Sequence, residues 1–375
     1  MNRPALRTSL ALAALALVAL LAAGCGSSDN APAGAKKMAF ELTDAGCVPN
    51  QAKASAGPIN FEVENAGTSK VSEFEVLDGE TILGEVENLS DGFSGNFSLT
   101  LEEGEYTLYC PGGDTEKGTL EVSGKLQAAN SPEVEEAIAQ YRDYLEENTD
   151  ELVAATEPFV AAVVAGDVAK AKSLYPTARI PYERIEPVAE SFGDLDPRID
   201  ARENDVPASE FEGFHRIEKA LWAEDTAAGM APVAKQLQDD VEELQAKVKN
   251  VDLQAVQIAN GANELLTEVS TSKITGEEER YSHIDLVDFK ANVEGAETAF
   301  EAVEPLLSKD DPKLAKEIEA SFKDVYASLK PYERGDGFVS YTELTKADTR
   351  KLAQEIDALA EELSQVPAQI VSGTS

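Results

Sequence analysis

The chain has 375 residues, 43% of them hydrophobic, and a formal net charge of −38. That length allows two or three domains, and the apolar share is enough for ordinary cores. A surface this acidic repels nucleic acid and attracts cations, so a nucleic-acid partner is excluded; solubility or salt tolerance accounts for the overall excess equally well.

Residues 1–24 read as a secretory signal rather than as part of the fold. Arg3 and Arg7 form a positive start, Leu10 to Leu21 an apolar stretch, and Ala22-Ala23-Gly24 a run of small residues before Cys25. The apolar stretch falls short of the ~20 residues that a membrane span requires. The ending Leu21-Ala22-Ala23-Gly24-Cys25 resembles a bacterial lipobox, in which the cysteine becomes the lipidated first residue. Residues 25–35 follow as a flexible tether of small and polar residues. The expectation is a domain pair outside the cytoplasm, held to the membrane surface by lipid.

Residues 36–124 read as β. Met38, Phe40 and Leu42 alternate, as do Ile59, Phe61 and Val63; Phe74 and Val76; Phe97, Leu99 and Leu101; Tyr106, Leu108 and Cys110; and Leu120 and Val122. Period-two alternation broken by Gly, Asn and Asp at short intervals marks a sandwich or barrel. The position of Cys110, at the end of one strand and before the loop to the last, is where copper-binding sandwiches place a thiolate. A blue-copper centre also needs two histidines, and residues 36–123 contain none. Cys47 and Cys110 therefore form either a disulfide or a thiolate pair with Glu73 or Asp114 for a soft metal.

From Lys125 onward the pattern is helical through residue 375. Helices are predicted over 133–165, with a kink or break at Pro158, and over 167–175, 181–192, 208–224, 230–249, 253–272, 284–307, 312–330 and 345–364. Short connections between amphipathic helices imply antiparallel bundles.

Within this half, His215 is one of two histidines in the chain. The spacing His215-x-x-Glu218 puts an imidazole and a carboxylate one turn apart on one helical face. Such a pair is half of a site for iron, zinc or copper(II). Glu183 and Glu186 share the same spacing, and Asp194, Asp196 and Asp200 lie just beyond them. In bundles, metals are held by inward carboxylates and histidines from facing helices. The competing reading is a packed histidine, with Glu218 paired to Lys219, Arg216 or Arg184. His283 reads as a helix-start residue, with Ser282 or Asp285 capping, or as a second-site ligand. A zinc-peptidase motif is missing: Arg216 and Lys219 stand where His-Glu-x-x-His would need Glu and His, and Lys219 also defeats the inverted form.

Taken together, Glu73 to Gly79, Tyr109-Cys110-Pro111-Gly112-Gly113, Tyr182 to Pro187, Gly213 to Glu218 and Ser282 to Leu286 resemble the EfeO-type iron-uptake lipoproteins over roughly residues 36 to 370. The resemblance implies a multidomain all-β plus all-α chain, with a cupredoxin-like β-sandwich (36–124) before an imelysin-like helical domain (125–375). It implies no enzymatic activity but iron binding, ferrous or ferric, outside the membrane. It further implies delivery to a membrane iron permease alongside a haem peroxidase-like partner. By position it assigns His215 and Glu218 as metal ligands, with Glu183, Asp196, Glu186 and Asp200 as acidic partners. Cys47, Glu73 and Cys110 match a second site in the first domain, for copper or zinc. The alternatives are a secreted imelysin-like metallopeptidase and a non-enzymatic surface interaction protein.

Overall fold

The structure is a computed structural model that describes residues 35–126, 131–193, 195–335 and 337–373. The expected signal (1–24), the lipidation site Cys25 and all of the tether but Ala35 lie outside the described residues, as does Asp194.

Nine strands form the first domain: β1 (Lys36–Thr43), β2 (Gly46–Val48), β3 (Gln51–Ser55), β4 (Gly57–Asn65), β5 (Phe74–Asp78), β6 (Thr81–Val86), β7 (Ser94–Leu101), β8 (Gly104–Tyr109) and β9 (Lys117–Ser123). One sheet runs β2-β1-β4-β7 and the other β3-β9-β8-β5-β6. Register follows the hydrophobic alternation: Phe61 lies opposite Phe97, and Phe40 opposite Val63. Phe40, Phe61, Phe74 and Phe97 thereby meet between the sheets, with neighbouring centroids 4.7 to 6.2 Å apart. Cys47 and Cys110 form a disulfide, so the thiolate-pair reading is corrected. The six strands anticipated from alternation are present. The short β2 and β3 are additional, and so is β6, whose residues are all half-buried because both of its faces are covered.

The second domain is helical: α1 (Pro132–Ala165), α2 (Val168–Glu183), α3 (Glu186–Glu190), α4 (Leu195–Asp200), α5 (Gly213–Trp222), α6 (Ala231–Val248), α7 (Ala255–Thr271), α8 (Asp285–Asp310) and α9 (Pro312–Leu329). A small hairpin of β10 (Glu333–Arg334) and β11 (Gly337–Phe338) follows, then α10 (Lys346–Leu363) and α11 (Val366–Gly373). Of the kink or break expected at Pro158, the break does not occur: α1 runs unbroken through it. Ala154, whose carbonyl loses its helical partner to the proline ring, is solvent-exposed, while Leu152 and Phe159 anchor both flanks in the core. Likewise α2 continues through Pro176 and Pro181 where two helices were expected. That continuation carries Arg179, Tyr182 and Glu183 into the interior on one helix.

The domains meet along α7, which lies against the edge strands β6 and β7. Gln254, just before α7, accepts from the backbone N–H of Thr100 (3.2 Å) and donates to its carbonyl (2.9 Å). Gln257 donates to the Leu83 carbonyl (2.9 Å) and Asn260 to the Ser98 carbonyl (2.8 Å). Side-chain amides thus satisfy strand edges that would otherwise invite another chain. No helix among the described residues is long and apolar enough to cross a membrane.

Candidate metal centre

The site is assembled where α2, α3, α4, α5, the 277–284 segment and the start of α8 converge. Gly213 makes one of these junctions possible. It opens α5 with φ +73°, and a Cβ there would fall 2.1 Å from the Ile199 carbonyl oxygen. Only glycine lets the start of α5 approach α4 this closely, and the approach brings His215 beside Asp200.

The His215 ring is buried, 1% exposed. Its Nδ1 lies 3.2 Å from Glu218 Oε2. The other oxygen of Glu218 accepts from the backbone N–H groups of Tyr281 (2.8 Å) and Ser282 (2.7 Å). Glu218 is thus clamped behind the ring, where a carboxylate sets the tautomer and orientation of a ligand imidazole. The opposite nitrogen, Nε2, has no hydrogen-bond partner although it is buried. It faces Asp200 Oδ1 at 3.5 Å and Glu278 Oε1 at 3.3 Å. These three donor atoms lie within 4.8 Å of one another. Donors ~2.1 Å from a shared ion sit no more than ~4.2 Å apart, so the group is close to ion-binding dimensions.

Further acidic side chains surround this group. Glu183, Glu186 and Asp200 form a second cluster and Glu186, Glu190 and Glu268 a third. Two buried basic groups thread between them. Arg179, 0% exposed, pairs with Glu183, Asp200, Glu278, Glu279 and Asp288. Lys273 pairs with Glu183, Glu186 and Glu268. Burying a charge is costly unless it is paired. Here the buried acids Glu183, Glu186, Asp200, Glu218, Glu278, Glu279, Asp285 and Asp288 outnumber the buried cations Arg179 and Lys273, even with His215 protonated.

The titration tendencies reflect that imbalance. Burial pushes the His215 pKa down and Arg179 adds to this, but Asp200, Glu218 and Glu278 prevail and raise it to about 10. Burial works against the Glu278 carboxylate, yet Lys273, His215 and Arg202 hold it well below its usual range. Burial is also the main opposing influence at Glu218, and the His215 hydrogen bond and ring charge still lower it. Burial dominates at Glu186, Glu279 and Asp288 and raises all three. The arrangement joins one neutralisable nitrogen to the Asp200 and Glu278 oxygens, with Glu278 held ionised, a donor set for a borderline or hard transition ion.

The imelysin family model (peptidase M75) matches residues 137–366, and a cupredoxin-like domain model matches residues 12–122. The protein titled "Iron uptake system component EfeO" from Escherichia coli (strain K12) is 42% identical over 334 residues, which cover 87% of this chain and 89% of that protein. The protein of the same title from Shigella flexneri matches to the same extent. The chain belongs to the EfeO family of iron uptake system components. Among solved structures, a purple cupredoxin from Nitrosopumilus maritimus aligns with 23% of this chain and 98% of its own, at 18% identity and a TM-score of 0.18. The EfeO relatives are titled as uptake components rather than as enzymes, although the imelysin model carries a peptidase label.

Within this EfeO-family chain the anticipated residues are distributed unevenly. His215, Asp200, Glu183 and Glu186 converge on the buried clusters. Glu218 lies on the Nδ1 side of the ring, away from the open nitrogen. Asp196 accepts from the Tyr182 hydroxyl, and burial raises its pKa to about 7. The rival partners proposed for Glu218 are engaged elsewhere: Lys219 with Glu203, Arg216 with Glu224 and Arg184 with Glu294. His283 adopts φ 59° just before α8 and belongs to none of the ion-sized groups among the described residues. Neither Ser282 nor Asp285 caps α8 through its side chain. In the first domain, Glu73 lies with Glu85 and Glu87 rather than in a cluster with the bonded cysteines. A copper or zinc site built on Cys47, Cys110 and Glu73 has therefore lost its thiolates.

Sequence reasoning missed Glu278, Arg179, Lys273 and Asp288. Glu278 had a weak signal, since it falls in the acidic run Glu277-Glu278-Glu279. Arg179 precedes Glu183 by four residues, an ion-pair spacing, but the helix was expected to end before it.

Proposed function

We propose that this EfeO-family protein captures an iron ion, ferrous or ferric, at His215 Nε2 with Asp200 and Glu278, and passes it to a membrane permease. The observation that carries this reading is a buried imidazole nitrogen without a hydrogen bond that faces two carboxylate oxygens at 3.3 and 3.5 Å. Glu218 orients the ring, and Glu183 and Glu186 supply further oxygens. One imidazole with carboxylates, and no thiolate, suits a carrier that must release its cargo. Residues 1–24 direct export, Cys25 carries the lipid, 25–35 act as a tether, and 36–124 and 125–375 form the two working bodies. On this reading the protein sits on the outer side of the cell membrane, periplasmic or at the cell surface, and works alongside a haem peroxidase-like partner.

Calorimetric titration of the purified protein with Fe²⁺ under anaerobic conditions tests the site. His215→Ala is expected to abolish the tight phase while leaving the fold intact. Unchanged affinity and stoichiometry in His215→Ala would remove the basis of the assignment.

A further inference from the structure

Arg179 occupies the centre of the carboxylate cage in a way the binding of an ion cannot ignore. Its Nη1 bonds Asp200 Oδ1 and its Nη2 bonds Glu278 Oε1 at 3.1 Å. These are the same two oxygen atoms that face His215 Nε2. The guanidinium is a permanent cation that cannot be neutralised by losing a proton. An ion at Nε2 would therefore share its oxygens with a positive group, among buried side chains where repulsion is stronger than in bulk water.

The opposite side of the cage offers a place for that group to go. Arg179 Nε lies 3.1 Å from Glu279 Oε1 and 3.3 Å from Asp288 Oδ2. Glu279 Oε1 and Asp288 Oδ1 are both buried without a hydrogen bond. The carbon of the guanidinium also sits 5.4 Å from the Phe214 ring centroid, a surface along which a planar cation can slide.

Building on the iron-binding reading above, we infer that Arg179 is an internal counter-cation that fills the empty site and moves off Asp200 and Glu278, towards Glu279 and Asp288, when a divalent ion loads. The exchange of one cation for another keeps the carboxylates compensated in both states, which limits the cost of burying them. It also sets the affinity, because ion and guanidinium compete for the same lone pairs. Release is then the return of Arg179 to its oxygens.

Mn²⁺, a redox-stable divalent probe, tests the exchange on the full chain. Arg179→Gln removes the competitor and is expected to bind Mn²⁺ more tightly, by ~5- to 150-fold, the usual range of a coupling between two binding events; Arg179→Lys, which keeps the charge, stays nearer the parent. Affinity in Arg179→Gln equal to or weaker than the parent's overturns the competition. A crystal structure of the unmutated protein soaked in Mn²⁺ covers the case in which the variant does not fold. The ion bound to His215 Nε2 with Arg179 off Asp200 and Glu278 supports the exchange. The ion bound there with all five Arg179 pairs intact overturns the exchange alone. No ion at His215 overturns the iron-binding reading and the exchange with it.

Discussion

Two acidic clusters in this molecule behave oppositely. In the first domain Glu73, Glu85 and Glu87 bring their oxygens within 4.8 Å of one another, with no histidine in the group. Burial and then repulsion from neighbouring carboxylates shift Glu85 and Glu87 upward, although the Glu87 side chain is exposed and Glu85 only half-buried. Glu85 and Glu87 border an interdomain cavity of about 230 Å³, which Glu190, Glu264 and Glu268 also line. In the second domain Asp200 and Glu278 face His215, and Arg179, Arg202 and Lys273 supply positive charge, so Glu278 is held ionised. Close acidic oxygens alone therefore do not prepare a cation site. At Glu278 the nearby Lys273, His215 and Arg202 outweigh burial, whereas at Glu279, Asp288 and Glu186 burial prevails even though Arg179 or Lys273 pairs with each.

The comparison can be tested most severely by loosening one body at a time. Replacing Cys47 and Cys110 by alanine opens a bridge between residues 63 apart in sequence. Loop-closure entropy puts the loss at roughly 4 kcal/mol, read as a lower denaturation midpoint for the sandwich. Metal affinity of the helical site should be unchanged; a parallel loss would show that the clusters are not independent.

A smaller effect is expected from Glu218→Gln, which leaves the ring in place but removes the carboxylate behind it. Partners of this kind are typically worth ~10- to 100-fold in metal affinity. Glu87→Gln, in the histidine-free cluster, should change affinity by less than ~2-fold on the same scale. Equal losses in the two variants would erase the distinction.

The pH dependence of apo-protein stability gives a third contrast. His215 keeps its proton in the folded state up to about pH 10, against 6.5 when unperturbed. The folded form then binds more protons than the unfolded form, so its contribution is full below pH ~6.5 and is lost as pH rises towards 10. Glu264 and Glu75 are raised from 4.5 to about 8 and about 9, Glu264 by burial and Glu75 by burial and then by Glu73. Their sign is the same, but their loss starts near pH 4.5 and ends near 8 to 9. Thermal melts of His215→Gln should flatten the upper part of the decline, and Glu264→Gln the lower part. Metal affinity, by contrast, should strengthen with pH, because the ion can bind His215 only after the ring proton leaves.

The smallest structural perturbation is Gly213→Ala. The alanine must adopt φ +73°, a strain of ~1–3 kcal/mol, and its Cβ would overlap the Ile199 carbonyl oxygen at 2.1 Å, so the start of α5 must shift off α4. It should weaken metal binding more than stability alone explains, because it moves α5 and His215 away from Asp200. A matching drop in stability with unaltered affinity would assign Gly213 to folding only.

Much of the architecture was legible because it rests on periodicity. Phe40, Phe61, Phe74 and Phe97 alternate with polar neighbours, and a strand can hide only every second side chain. Strand β6 lacked that signature because the helical body covers the face that would otherwise be polar. Proline misled where it suggested an end, since α1 and α2 continue through Pro158 and Pro176; local chemistry does not reveal whether the orphaned carbonyl reaches water or packing carries the helix onward. At the site, His215 and Glu218 were visible as a one-turn pair, and Asp200 and Glu183 as nearby acids.

The chain by itself determined its division into a β body and a helical body, its acidity, and the one-turn spacing of His215 and Glu218, all of which are properties of neighbouring residues. Only the tertiary structure decided that Glu218 stands behind the ring, that Glu278 from 63 residues beyond His215 stands before it, and that Arg179 lies between the acids. Those relations depend on how α2, α4, α5 and the 277–284 segment pack. Packing is governed by the shape and burial of whole helices, such as the close approach permitted at Gly213, and that information is not carried by any short stretch of residues.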